Sequence, residues 1–166
     1  MKFSIIAIAA AAAPGAMADF WISYMSREVP GVPSVVGGNN HGAIFHKEPE
    51  ISCDQHKKSM IYSDTDDVSG KHVGMRTVPG NRVASPYFRD PLDIVEFNTG
   101  AGKPGHHTIY KDRGFAMFDV DGRQTGQCYE NRSKVFYLRC PDGGNFVNLE
   151  GSSMFFCESE LNVTYN

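Results

Sequence analysis

Glycine and proline recur along the whole chain, and their spacing forbids any long regular element. Seventeen glycines and nine prolines are distributed through 166 residues. Between them lie short runs rich in Val, Ile, Phe, Tyr and Thr, the residues that suit a pleated, half-buried strand. Ten such runs stand out: Phe20–Ser26, Gly42–Lys47, His72–Arg76, Leu92–Phe97, His106–Lys111, Gly114–Val120, Gln124–Glu130, Lys134–Arg139, Asn145–Leu149 and Met154–Glu158. No segment sustains a 3.6-residue apolar period, and only Glu50–Tyr62 suits a short helix. The expected fold is all-β: a compact antiparallel sandwich or barrel with at most one short helix.

Part of the topology is readable. Asp121-Gly122 is a favoured hairpin dipeptide, so Gly114–Val120 and Gln124–Glu130 should pair antiparallel. Lys111-Asp112-Arg113-Gly114 reads as a second tight turn that brings His106–Lys111 into the same meander. Gly114–Phe118 is apolar on both faces, as a central strand should be. In Lys134–Arg139, Phe136 and Leu138 share one face and Val135 and Tyr137 the other. Gly151-Ser152-Ser153 reads as a turn between the last two strands. The segments Glu28–Asn40 and Thr99–Gly105, rich in glycine and proline, read as loops.

The N-terminus reads MKFSIIAIAAAAAPGAMA. Lys2, an apolar run over Phe3–Ala13 and small residues at Ala16 and Ala18 make a secretory signal peptide, with cleavage expected before Asp19. The run is far shorter than the roughly 20 apolar residues of a bilayer span. Domain organisation is then a leader at 1–18 and one secreted domain at 19–166. The expected localisation is extracellular, with no membrane association. The remaining domain is mildly acidic, which excludes the basic footprint of a nucleic-acid binder.

Export gives the cysteines a meaning. Cys53, Cys128, Cys140 and Cys157 imply two disulfides with three possible pairings. The expected pairing joins Cys128 to Cys140 across neighbouring strands and Cys53 to Cys157. The cysteines lie 75, 12 and 17 residues apart, unlike the close pairs of a zinc site. The same compartment makes Asn131-Arg132-Ser133 and Asn162-Val163-Thr164 glycosylation sequons.

No motif names a reaction. His41, His46, His56, His72, His106 and His107 lack metal-ligand spacing, and His106 and His107 diverge if they share a strand. Asp119-Val120-Asp121-Gly122 fails as a calcium loop, because Gln124 stands where the sharp-turn glycine belongs. Asp64-Thr65-Asp66-Asp67 reads as a solvated acidic turn. No cofactor or metal is expected. The one concrete enzyme reading is a small extracellular ribonuclease, which needs a base, an acid and a cation beside a phosphate. Glu96, His107 (or its neighbour His106) and Arg113 are the candidate catalytic residues, and ordinary strand polarity is the competing account. Trp21 and Tyr24 could serve a glycan, although an aromatic core explains them equally.

Several stretches together carry a resemblance. They are Asp19-Phe20-Trp21, Pro49 with Cys53, Asp66-Asp67-Val68-Ser69-Gly70, Gly74-Met75-Arg76, and His107 to Gly114. Asp121-Gly122 with Gly126, Cys128 and Tyr129, and finally Phe156-Cys157, complete the set. The chain resembles small cysteine-containing secreted proteins of filamentous ascomycete fungi, a group of candidate effectors. That resemblance implies a fungal virulence-type role at a host or environmental interface and assigns no catalytic residue. The expected function is a non-enzymatic secreted protein, monomeric, that binds a host or extracellular protein or a glycan. The alternatives are a secreted ribonuclease-type hydrolase and a cell-wall or carbohydrate-binding component.

Overall fold

The computed structural model describes residues 18–31, 39–63, 65, 67–78, 91–100 and 104–163. The leader at 1–17, Asp64 and Asp66 of the acidic turn, Thr164 of the second sequon, and residues 32–38 and 101–103 of the two loops lie outside these.

Ten antiparallel strands form one sheet among the described residues. In chain order they are β1 (Phe20–Glu28), β2 (Asn39–His46), β3 (Met60–Ser63), β4 (Gly74–Val78), β5 (Ile94–Asn98), β6 (His106–Tyr110), β7 (Ala116–Asp119), β8 (Gln124–Glu130), β9 (Val135–Asp142) and β10 (Asn145–Ser159). One short helix, α1 (Cys53–Lys58), lies between β2 and β3. The neighbour order is β3-β2-β1-β10-β8-β7-β6-β5-β4, with β9 added on β10. The sheet curls until its ends nearly meet, and the Thr65 N–H donates to the Met75 carbonyl at 2.9 Å beside β3 and β4. The result is a nearly closed barrel, the second of the two expected all-β forms.

Strand alternation fills the interior. Phe20, Ile22 and Tyr24 of β1, Phe45 of β2, Met75 of β4, Val95 and Phe97 of β5, Ile109 of β6, Met117 of β7 and Phe155 of β10 make one buried cluster. Each large side chain fully withdrawn from water contributes about 1.5–3 kcal/mol. A smaller cluster lies outside the barrel wall, where Met25, Ile44, Val147 and Leu149 meet Ile51, Cys140 and the flanking Phe136 and Leu138. β1 and β10 therefore bury both faces.

The meander β6-β7-β8 forms as expected. Its second turn is built by Asp119, whose carboxylate accepts the N–H groups of Asp121 at 3.1 Å and Arg123 at 2.9 Å while Gly122 takes φ 78°. Three elements differ from the sequence reading. Only Cys53–Lys58 of the Glu50–Tyr62 segment is helical, started by a capping box between Ser52 and Gln55, and Met60–Ser63 is a strand. The strand expected at His72–Arg76 begins and ends two residues later. Gly151-Ser152-Ser153 is no turn, because β10 runs unbroken through it for 15 residues. Gly151 is needed there, since a Cβ would overlap the Tyr24 carbonyl oxygen and the Phe136 ring.

The disulfides are Cys53–Cys140 and Cys128–Cys157, which corrects the expected Cys128–Cys140 and Cys53–Cys157. The cause is the course of β8 and β9. They run end to end along one edge of β10 rather than side by side, with β8 on Phe155–Ser159 and β9 on Asn145–Ser152. Cys128 lies directly opposite Cys157, whereas Cys140 lies opposite Val147. At about 3.3 Å per residue of β10, Cys128 and Cys140 stand roughly 30 Å apart. Cys140 faces the outer cluster, where α1 brings the Cys53 Cα to 5.4 Å.

Candidate functional site

The strongest grouping of chemically capable side chains lies on the outer face of β4, β5, β6 and β7. Alternation sends Val95 and Phe97 inward, so Glu96 between them points out. Register then sets its neighbours: Arg76 opposite on β4, Thr108 opposite on β6, and Phe118 beyond Thr108 on β7. Arg76 donates to Glu96 Oε2 from Nη2 at 2.7 Å and from Nε at 3.0 Å. His106 Nε2 lies 2.8 Å from Oε1. A carboxylate only accepts, so His106 carries its proton on Nε2 and turns Nδ1 away from Glu96. Both Glu96 oxygens are engaged, and its side chain is 18% exposed.

Arg113 occupies the same face two strands away. A 3-10 turn at Lys111–Arg113 ends on Gly114, whose φ of 65° suits glycine, and returns the chain toward β7. The Arg113 guanidinium then lies over the Tyr110 ring at 4.6 Å and the Phe118 ring at 4.9 Å. A cation stacked on two aromatic rings is held in place and still presents its edge to a ligand.

The adjacent histidines do diverge. His107 points inward, 4% exposed, with its ring stacked on Phe97 at 5.6 Å between centroids. Burial is the largest influence on it and lowers its pKa. Of the three candidate catalytic residues, Glu96 and Arg113 therefore share a face and His107 does not. His106 is the histidine that meets Glu96. Arg76 carried no signal in the sequence, because a cross-strand partner becomes visible only once the register is known.

The remaining histidines serve the fold. His41 Nδ1 lies 2.8 Å from the Tyr24 hydroxyl. His46 is buried between the Ser23 hydroxyl at 2.8 Å and the Glu48 carbonyl at 2.6 Å. His56 sits half-buried on α1, and exposed His72 pairs with Asp67 at 2.7 Å. No group of three or more His, Cys, Asp or Glu placed to hold a metal occurs among the described residues. All four cysteines are oxidised, so none is a nucleophile. Asn131, in the short connection from β8 to β9, accepts from the N–H and hydroxyl of Ser133 at 3.2 and 2.6 Å.

The outer face can bind more readily than it can catalyse. Phosphodiester cleavage needs one group to take a proton and a second to return it to the leaving oxygen. Among the described outward positions of β4–β7, Glu96 is the only carboxylate and His106 the only histidine, and they hold each other. Comparison with protein-family models, curated proteins and solved structures finds no match for this chain. Among the described residues, no helix is long and apolar enough to cross a membrane.

Proposed function

We propose that this chain is a secreted, fungal-type binding protein that acts at a host or environmental interface through the outer face of β4–β7. The observation that carries this reading is the fixed row Arg76–Glu96–His106 beside the Arg113–Tyr110–Phe118 stack. Such a surface is pre-organised: its charges are held by one another and its cation by aromatic rings, so little side-chain freedom is lost on binding. Two disulfides suit an oxidising compartment.

A second reading, a ribonuclease-type hydrolase, draws on one specific feature. Glu96 orients His106, leaving Nδ1 as a base, while Arg76 and Arg113 supply cations on the same face. A single assay series separates these readings and the cell-wall alternative. The purified protein is expected to leave RNA intact and to remain in solution with chitin or glucan. It is expected to be retained by an immobilised host extracellular protein fraction. Tyr110→Ala with Arg113→Ala should lower that retention about tenfold, the loss typical of an aromatic–arginine anchor. RNA cleavage that survives His107→Ala and disappears in Glu96→Gln would transfer the assignment to the hydrolase. Sedimentation with polysaccharide would transfer it to the wall. Produced through a eukaryotic secretory route, the protein should also lose an endoglycosidase-sensitive mass step on Asn131→Gln.

A further inference from the structure

β9 is bonded on one side only. Its register with β10 pairs Val135 with Ser152 through to Asp142 with Asn145. Just before it, the Ser153 N–H donates to the Lys134 carbonyl at 2.8 Å. In an antiparallel pair, alternate residues turn both backbone groups to the partner strand. The even-numbered residues Lys134, Phe136, Leu138 and Cys140 are thus bonded toward β10, and Val135, Tyr137 and Arg139 direct N–H and C=O away from it. Two details agree. The Arg139 carbonyl faces Cys53 Sγ at 3.8 Å, on the side away from β10. Pro141, which has no N–H to offer, falls at an outward position.

Most of this edge is protected, but one stretch is not. Pro141 blunts the far end, and α1 with the Cys53–Cys140 disulfide covers the part near Arg139. Residues 135–138 read Val-Phe-Tyr-Leu, with no charge. Val135 is 66% and Tyr137 69% exposed. No described residue hydrogen-bonds to the outward backbone groups of these two. The open stretch borders a groove whose opposite bank is Pro49, Glu50 and Ile51. Phe136 and Leu138 pack against the outer cluster beside it.

From this geometry we infer that the open edge of β9 receives an extended segment of a partner protein as an added strand. Outward N–H and C=O groups at every second residue match another extended backbone and nothing else so well. The charges specify the segment further. The uncharged window is bracketed by Lys134 and Arg139, and Arg139 stacks on Phe146 at 4.7 Å without a carboxylate partner among the described residues. The matching segment has about four uncharged β-forming residues flanked by acidic side chains. A second copy of this chain fits worse, because antiparallel self-pairing sets each basic end against the other basic end. The groove between β9 and Pro49–Ile51 also admits a single strand rather than a sheet margin. This contact uses no residue of the β4–β7 outer face, so it stands or falls independently of the function proposed above.

Amide hydrogen exchange on the intact oxidised protein tests it. In the free monomer, the Val135 and Tyr137 amides should exchange quickly while Phe136 and Leu138 are protected. The probe is a pool of acetylated hexapeptides with glutamate at both ends and Val, Ile, Thr or Tyr at the four middle positions. At saturation the pool should slow Val135 and Tyr137 exchange about tenfold. Tyr137→Pro removes an outward N–H that β10 does not use, so it should keep the fold and abolish the protection. A pool methylated on its backbone nitrogens should give none. The inference is overturned if these two amides are already protected in the monomer, or if no pool slows them. Equal protection by the methylated pool also overturns it, as does a concentration-dependent dimer that protects the same amides.

Discussion

The double substitution Cys53→Ser/Cys140→Ser should lower the unfolding free energy by about 4 kcal/mol, more than any other pair of changes in this chain. This bond closes 87 residues, and the Cys128–Cys157 bond closes 29. In the chain-entropy model the constraint on the unfolded chain is about 4.6 kcal/mol for the first and about 3.6 kcal/mol for the second. The folded state points the same way. Cys128 and Cys157 already face each other in a hydrogen-bonded ladder that survives their removal. Helix α1 buries no residue of its own and is fastened to β9 by Cys53. Denaturant unfolding of both double-serine variants, each beside the oxidised parent, measures the two losses. A loss below about 1 kcal/mol for the Cys53/Cys140 variant would contradict the argument. So would non-reducing peptide mapping that recovers Cys53 joined to Cys157.

The second large effect should appear in acid. His46 is 2% exposed, and its Nδ1 faces the Glu48 carbonyl, which only accepts. Its Nδ1 is therefore the protonated nitrogen, and its Nε2 accepts from the Ser23 hydroxyl. Burial holds its pKa down at about 4. An unfolded chain takes up that proton near pH 6.5, so the unfolded state is protonated first as the pH falls. The stability from neutral His46 is complete above that value and is lost between about pH 6.5 and pH 4, a difference of about 3 kcal/mol. His107 and His56, both lowered chiefly by burial, add to the loss in the same direction. His46→Gln removes the titrating group while retaining an amide that can reach one of its two partners. Melting curves from pH 7 to pH 4 should therefore fall less steeply for that variant than for the parent. An equal slope in both would show that other groups govern the acid limb.

Local chemistry made much of this fold legible, and long-range register hid the rest. The β6-β7-β8 meander was readable because its turns carry their own signals in Asp121-Gly122 and in Lys111 to Gly114. The inward and outward residues of β5 and β9 followed from simple alternation. The disulfide pairing was not legible, because nothing in the sequence of β8 and β9 says that they lie end to end on β10. Strand β3 was hidden because Met60 to Tyr62 continues an apolar pattern that suits a helix equally well. Gly151-Ser152-Ser153 has the composition of a turn, yet its glycine serves close approach of Tyr24 and Phe136. At the outer face, Glu96 and Arg113 could be singled out as polar residues in apolar strands. Choosing between His106 and His107 required the phase of β6, and finding Arg76 required the β4–β5 register.

The barrel joins its earliest strand to its latest. β1 pairs with β10 from Phe20 opposite Cys157 to Glu28 opposite Asn148, and β8 joins the same strand from the other side. A ribosome delivers these partners at opposite ends of its work. The amino-terminal hairpin and the β4–β8 meander emerge early, but each must wait with an uncovered margin until the final twenty or so residues arrive to knit them together. A premature stop codon anywhere before β10 would release two half-walls with no shared seam. Quality control in the producing cell would meet that product as an aggregation-prone fragment rather than as a shorter protein.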